Sequence, residues 1–253
     1  IRALRARGHD VEVLPLYTPL RGDREVPSTT RPFYGAIQCY LEEIWPGFGR
    51  LPGFVERILS SRAVLSVVSL FAASTRPSLL GPLTVSVLAG ADGKQARELG
   101  RLIAYLSRER VPDVVSLTSV LLSGLAPELR ARLGVPIVCT LAGERPFVEA
   151  LPPPHREAAL RLLRRNSGSV DLFIASGEAF GRGLADWLGI GLDKVRVVRT
   201  AVDAQAYPIV NPRPRTPFAL GYLSVITPKK GLDLAVQAFL ALAKDKGREM
   251  VLR

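Results

Sequence analysis

The residues best suited to hold charge lie late in the chain, in the stretch FALGYLSVITPKKGLDLAVQAF at 218–239. An apolar run at 218–223 reads as a strand, a turn carries Thr227, Pro228, Lys229 and Lys230, and a helix opens at Gly231. A helix start behind a strand presents unpaired N–H groups and the positive end of the helix dipole, and a lysine there adds a full charge. That combination can hold a phosphate. The same lysines also read as a solvated pair in an ordinary loop, and the residue types leave both readings open. The cysteines are Cys39 and Cys139 and the histidines are His9 and His155. Four residues so scattered form neither a zinc site nor a CxxC redox pair. His155 follows three prolines at a helix start and reads as a surface residue rather than a base. No GxxxxGK[ST], GxGxxG or GxSxG occurs, so neither of the common phosphate loops nor a serine-nucleophile elbow is present.

The elements around these residues alternate. Apolar runs at 11–16, 114–117, 137–141, 172–175, 195–198 and 218–223 read as strands. Helical periodicity lies between them at 93–110, 121–133, 155–166, 180–188 and 231–246. Gly134, Gly189 and Gly191 fall where helices should end. Short apolar strands separated by helices predict a doubly wound α/β domain with a parallel sheet covered on both faces. Two segments break the rhythm: a long Pro- and Gly-rich excursion at 18–53, and a proline-rich linker at 207–217. The expected organisation is a Rossmann-like domain over 1–206, a linker over 207–217, and the start of a second domain over 218–253. Residues 1–7 read as the end of a helix and 250–252 as a strand cut short, so both ends are expected to stop inside a domain.

Composition narrows the class. Of 253 residues, 47% are hydrophobic and 23% charged, which excludes disorder, collagen and coiled coil. Two cysteines exclude a disulfide scaffold and fit a reducing compartment. The most apolar stretch, 64–73, is too short to span a bilayer. A net charge of +11 suits a polyanion, an anionic membrane face or a phosphate-bearing ligand, and equally an arginine-rich composition with dispersed charge.

The 218–239 stretch resembles the opening of the C-terminal domain of family-4 glycosyltransferases of the GT-B fold, whose pattern runs roughly G-Y-x-x-R-x-x-P-x-K-G-L. Further blocks follow in the family's order: RARGHDVEVL at 5–14, PDVVSLTSVLLSGLA at 112–126, GVPIVCTLAGE at 134–144, then DLFIAS, ADWLGIGLDKVRVV and VDAQAY. FYGAIQCYLEE at 33–43 is similar to a Gly-rich acceptor-side loop and contributes Tyr34 and Gly35. The resemblance implies two Rossmann-like domains. It also implies transfer of a sugar, typically with retention and without a metal or other cofactor, from a nucleotide-diphosphate sugar to a glycan or lipid-linked acceptor. The place implied is cytoplasmic, with peripheral contact at the inner membrane face, and no nucleic acid partner. Lys230 matches the family's phosphate-binding lysine with Gly231 behind it, and Gly143 and Glu144 match a loop bordering the sugar site.

Departures from the pattern concentrate at polar positions. Val225 stands in place of a diphosphate-binding arginine, Ala142 in place of a polar residue near the donor sugar, and Arg145 where an acidic residue is usual. Gly177 replaces a serine, with Ser176 one position early; Ala201 and Ala36 replace glycines. Lys229, where acidic residues are common, is a candidate compensating cation. A kept framework with altered polar positions fits a divergent transferase. It also fits a family member that binds sugar or a partner without turnover; a different Rossmann-type nucleotide or polyanion binder is the third reading.

Overall fold

A computed structural model describes residues 1–16, 77–108, 111–202, 204–207, 217–224, 226, 230–246 and 250–252. The chain divides into two compact units, Ile1–Thr200 and Ala201–Arg253. The described elements of the first unit are α1 (Arg2–Ala6), α2 (Pro77–Ala89), α3 (Ala96–Arg108), β1 (Val115–Leu117), α4 (Ala126–Leu133), β2 (Ile137–Thr140), α5 (Arg145–Glu149), α6 (Pro153–Ser167), β3 (Leu172–Ala175), α7 (Glu178–Leu188) and β4 (Val195–Val197). A tight 3-10 turn at Gly90–Asp92 joins α2 to α3, and another at Val120–Leu125 leads from β1 into α4. The second unit holds β5 (Phe218–Leu220), α8 (Leu232–Lys246) and β6 (Met250–Leu252).

The first unit's strands form one parallel sheet in the order β1-β2-β3-β4. Parallel neighbours need a crossover, and each crossover here carries helix, which is the Rossmann-like α/β arrangement. In the second unit β5 and β6 pair in parallel with α8 between them, a single βαβ unit. Strands read at 114–117, 137–141, 172–175 and 195–198 are all present within one residue at either end. The run at 11–16 is different: Val13 alone pairs there, as a single bridge. The 18–53 excursion and most of the proline-rich linker lie outside the described residues.

Register sets the core. Leu117 pairs with Cys139, and Cys139 with Phe173, so all three share one face of the sheet. Cys139 and Phe173 are fully buried and Leu117 nearly so; burying a side chain the size of Phe173 contributes about 1.5–3 kcal/mol. Helix α7 lies hard against this face. A Cβ on Gly181 would stand 2.9 Å from the Ala175 Cβ and 3.2 Å from Val195 Cγ1. The opposite face, carrying Ser116, Val138, Thr140, Leu172, Ile174 and Arg196, is half-buried to exposed. The apolar runs predict two closed faces; among the described residues one is closed.

Helix α2 is the longest element that periodicity misses. Its sequence, PSLLGPLTVSVLA, is apolar on nearly every side and contains Pro82, so no polar stripe marks it as a surface helix. It forms because it is packed against α6 and the Val120–Leu125 turn. Asn166, itself fully buried, donates from Nδ2 to the Leu88 carbonyl at 2.8 Å and satisfies an acceptor in the last turn of α2. The close approach needs glycines: a Cβ on Gly124 would lie 2.2 Å from the Val87 carbonyl oxygen, and one on Gly90 2.2 Å from that of Gly124.

At the other edge of the sheet Asp171 fixes the start of β2. Its N–H donates to the Ile137 carbonyl at 2.9 Å, and its Oδ2 accepts the Ile137 N–H at 2.8 Å. Arg130 donates to Oδ1 at 2.6 Å. The Arg130 hydrogen bond, with the Ile137 N–H second, holds the Asp171 carboxyl below its ordinary value of 3.8.

Three substitutions probe this packing. Asp171→Ala should lower stability at pH 7 by about 1–2 kcal/mol through the lost hydrogen bonds. A depressed folded-state value means the stabilisation is complete above the ordinary carboxylate range and disappears as pH falls through the depressed one. The gap between wild type and variant in urea unfolding should therefore close at acid pH, below that range; a gap unchanged by acid would show that the carboxylate is irrelevant. Gly90 has φ +62°, so Gly90→Ala combines backbone strain with the clash on Gly124 and should cost about 1–3 kcal/mol or more. Gly100 is an exposed residue within α3 with nothing near its missing Cβ. There, Gly100→Ala should gain about 0.5–1 kcal/mol, and thermal melts of both glycine variants against wild type check the two opposite signs.

Candidate functional site

In an open parallel sheet the loops leaving the carboxyl ends of the strands form the natural ligand crevice. The first unit presents there Thr118 and Ser119 after β1, residues 141–144 after β2, and Ser176 and Gly177 after β3. The ladder continues into these loops, with Leu141 N–H donating to the Ile174 carbonyl at 2.8 Å and Val198 N–H to that of Ala175 at 2.9 Å.

Glu144 is buried, at 6% exposure, and both of its oxygens accept hydrogen bonds. Oε1 accepts the Ser119 hydroxyl at 2.7 Å and the Val120 N–H at 3.0 Å, while Oε2 accepts the Ala142 N–H at 3.0 Å. Ser119 Oγ in turn accepts the Leu121 N–H at 3.2 Å. The carboxylate thus faces the protein, and the exposed part of the loop is Ala142 and Gly143. Gly143 has φ +87°, a conformation that favours glycine, although a Cβ there would meet only the Phe180 ring at 3.9 Å. Phe147 and Phe180, each 36% exposed, stand on the helices that follow the loops of β2 and β3. Gly177 caps α7 in extended conformation without a side-chain hydrogen bond. A serine would supply that bond, and its Cβ would meet nothing within 4 Å.

Arg145 donates to Glu149 at 2.7 Å along α5, both side chains half exposed. Such a pair contributes only about 0.3–0.5 kcal/mol. Burial, and secondarily the Glu144 charge, pushes the Cys139 thiol up to about 12, which leaves it inert as a nucleophile near neutrality. His155 is half-buried rather than on the open surface: its ring fills the notch at Gly81, where a Cβ would come within 2.6 Å. An open groove of about 360 Å³ lies between α5, α6 and α7, lined by Val148, Glu149, Arg156, Glu157, Leu160 and Trp187. None of residues 141–144 lines it.

In the second unit Lys230 is exposed, and its carbonyl accepts the Tyr222 hydroxyl at 3.1 Å. Gly231, at φ +69°, makes the turn immediately before α8, and its carbonyl accepts the Ala235 N–H at 3.0 Å. Asp233 occupies the first turn of α8, where its charge competes with any anion for the positive end of the helix. Tyr34, Gly35, Val225 and Lys229 lie outside the described residues. The partner that sequence reading misses is Ser119, 25 residues before Glu144. Its only local signal is a serine at the end of a strand.

A family model described as a glycosyl transferase 4-like domain matches residues 1–201. The match ends one residue past the end of the first compact unit at Thr200, so Lys230 and Gly231 fall outside it. No curated protein matches the chain. Among the described residues no helix is long and apolar enough to cross a membrane. The match spans most of the chain and coincides with a parallel α/β unit whose strand-end loops form an exposed edge, and on these grounds the chain belongs to the glycosyltransferase 4-like family.

Proposed function

We propose that this glycosyltransferase takes a sugar from a nucleotide-diphosphate donor and passes it, with retention, to a glycan or lipid-linked acceptor. The observation that carries the reading is the family match over the first unit. In this reading the donor diphosphate lies at the start of α8, where Lys230 and the first N–H groups of the helix offset the charge that develops on the leaving group. Lys229 adds a second cation. By resemblance, the loop of Gly143 and Glu144 borders the sugar, and Tyr34 and Gly35 belong to the acceptor-side loop. Protein cations take the place of a metal. A lipid-linked acceptor would put the reaction at the inner face of the membrane, where a net charge of +11 favours anionic headgroups.

One observation favours a second reading, binding without turnover. At the edge of the first unit Glu144 is turned inward and Arg145 is paired with Glu149, so the charged side chains after β2 are spent on the protein itself.

A hydrolysis screen of the full-length protein against a panel of nucleotide sugars decides between them: turnover of one donor supports transfer, and binding without turnover supports the second reading. Lys230→Ala should weaken nucleoside diphosphate binding roughly 10- to 100-fold in calorimetry, the effect of one charge-assisted bond. Equal affinities would move the diphosphate elsewhere.

A further inference from the structure

The carboxyl-edge loops of β1 and β2 leave adjacent strands and then diverge, one into the Val120–Leu125 turn and the other into α5. Backbone pairing between these strands is recorded only as far as Leu117 and Cys139. Beyond it, among the described residues, the hydrogen bonds that tie the two loops converge on a single side chain. Glu144 gathers the Ser119 hydroxyl, the Val120 N–H and the Ala142 N–H on two oxygens, and Ser119 extends the network to the Leu121 N–H.

We infer that Glu144 is a positioning residue: it locks the two loops together and holds the exposed Ala142–Gly143 turn in the geometry that transfer of the bound sugar requires. Three features support this. Its hydrogen-bond donors, one hydroxyl and two amides, are neutral, so among the described residues a buried carboxylate is held without a cation. Burying such a charge is costly, and apolar packing would hold two loops together at less expense. What the carboxylate adds is direction, since two acceptor oxygens fix donors from two loops at once. The anchor is also buried while the turn that it holds is exposed, which is the arrangement of a supported binding loop. Finally, Gly143 sits at φ +87°, a conformation held on one side by the Ala142 N–H bond and on the other by Glu144 itself.

Glu144→Gln tests the inference with little change in volume. An amide carries one acceptor and one donor end, so it cannot accept at both loops, and either Ala142 or the Ser119 side loses its acceptor. Ser119→Ala is the milder variant: it removes the hydroxyl tie and the Leu121 N–H bond but leaves an amide on each carboxylate oxygen. In the full-length protein, amide exchange at Val120 or Ala142, whichever has lost its acceptor, should accelerate about 10-fold or more in Glu144→Gln, with Cys139 and Phe173 in the strands unchanged. Wild-type exchange at Val120 and Ala142 would overturn the lock. The kinetic arm rests on the transfer activity proposed above. With a donor found in the screen, and well below the melting temperature of each variant, kcat should fall about 10- to 100-fold while the donor KM moves less than about threefold. Wild-type kcat and KM in a folded Glu144→Gln would reduce Glu144 to a structural residue and end the inference. If wild type turns over no donor, the proposed function fails, and exchange at Val120 and Ala142 still decides whether Glu144 locks the loops.

Discussion

The pairing of β2 with β3 is the interaction on which the rest of the first unit depends. Asp171 and Ile137 exchange two hydrogen bonds at its start, one through backbone and one through the carboxylate. Cys139 and Phe173 follow in register, both fully buried. A slip of one residue would turn each of them to the opposite face and bring Val138 and Ile174 inward in their place. The core cannot accept that shift, because α7 is seated against Ala175 and Val195 through Gly181 with no room for another atom. Position of the strand-end loops, and of everything they carry, is inherited from this register.

Two carboxylates hold the two edges of the sheet in different ways. Asp171, at the amino edge, is partly exposed and paired with Arg130, and water shares in its stabilisation. Glu144, at the carboxyl edge, is buried among neutral donors and depends on them entirely. The first arrangement tolerates loss of a charge. The second does not, because removing either side leaves buried polar groups without partners. This contrast is why the geometry of the 141–144 loop is the more sharply determined of the two.

The charge of the chain reads differently once the arginines are located. Arg130 reaches Asp171, Arg132 reaches Glu128, Arg145 reaches Glu149, and Arg164 donates to the Trp187 carbonyl at the end of α7. Several basic residues therefore serve local ties and helix ends, where a cation offsets unpaired carbonyls. Ion pairs of this kind cancel in the net charge, so the +11 is carried by basic residues beyond them.

Much of the fold was written in local patterns. Short apolar runs punctuated by Gly134 and Gly189 marked β2, β3, β4 and the helices between them, since strands and helix ends are set by neighbours in sequence. The order of the blocks likewise carried the family. Local patterns could not mark α2, whose apolar residues surround it on all sides and whose Pro82 argues against a helix; packing against α6 overrides both. Nor did the run at 11–16 become a strand of the described sheet, because a strand exists only where a neighbour accepts its hydrogen bonds. The direction of Glu144 was equally hidden. Sequence placed it in a loop beside a sugar site, but whether a side chain faces a ligand or the protein depends on which donors the fold brings near it. Ser119 and Val120 reach it only because β1 and β2 lie side by side, a proximity that no spacing along the chain records.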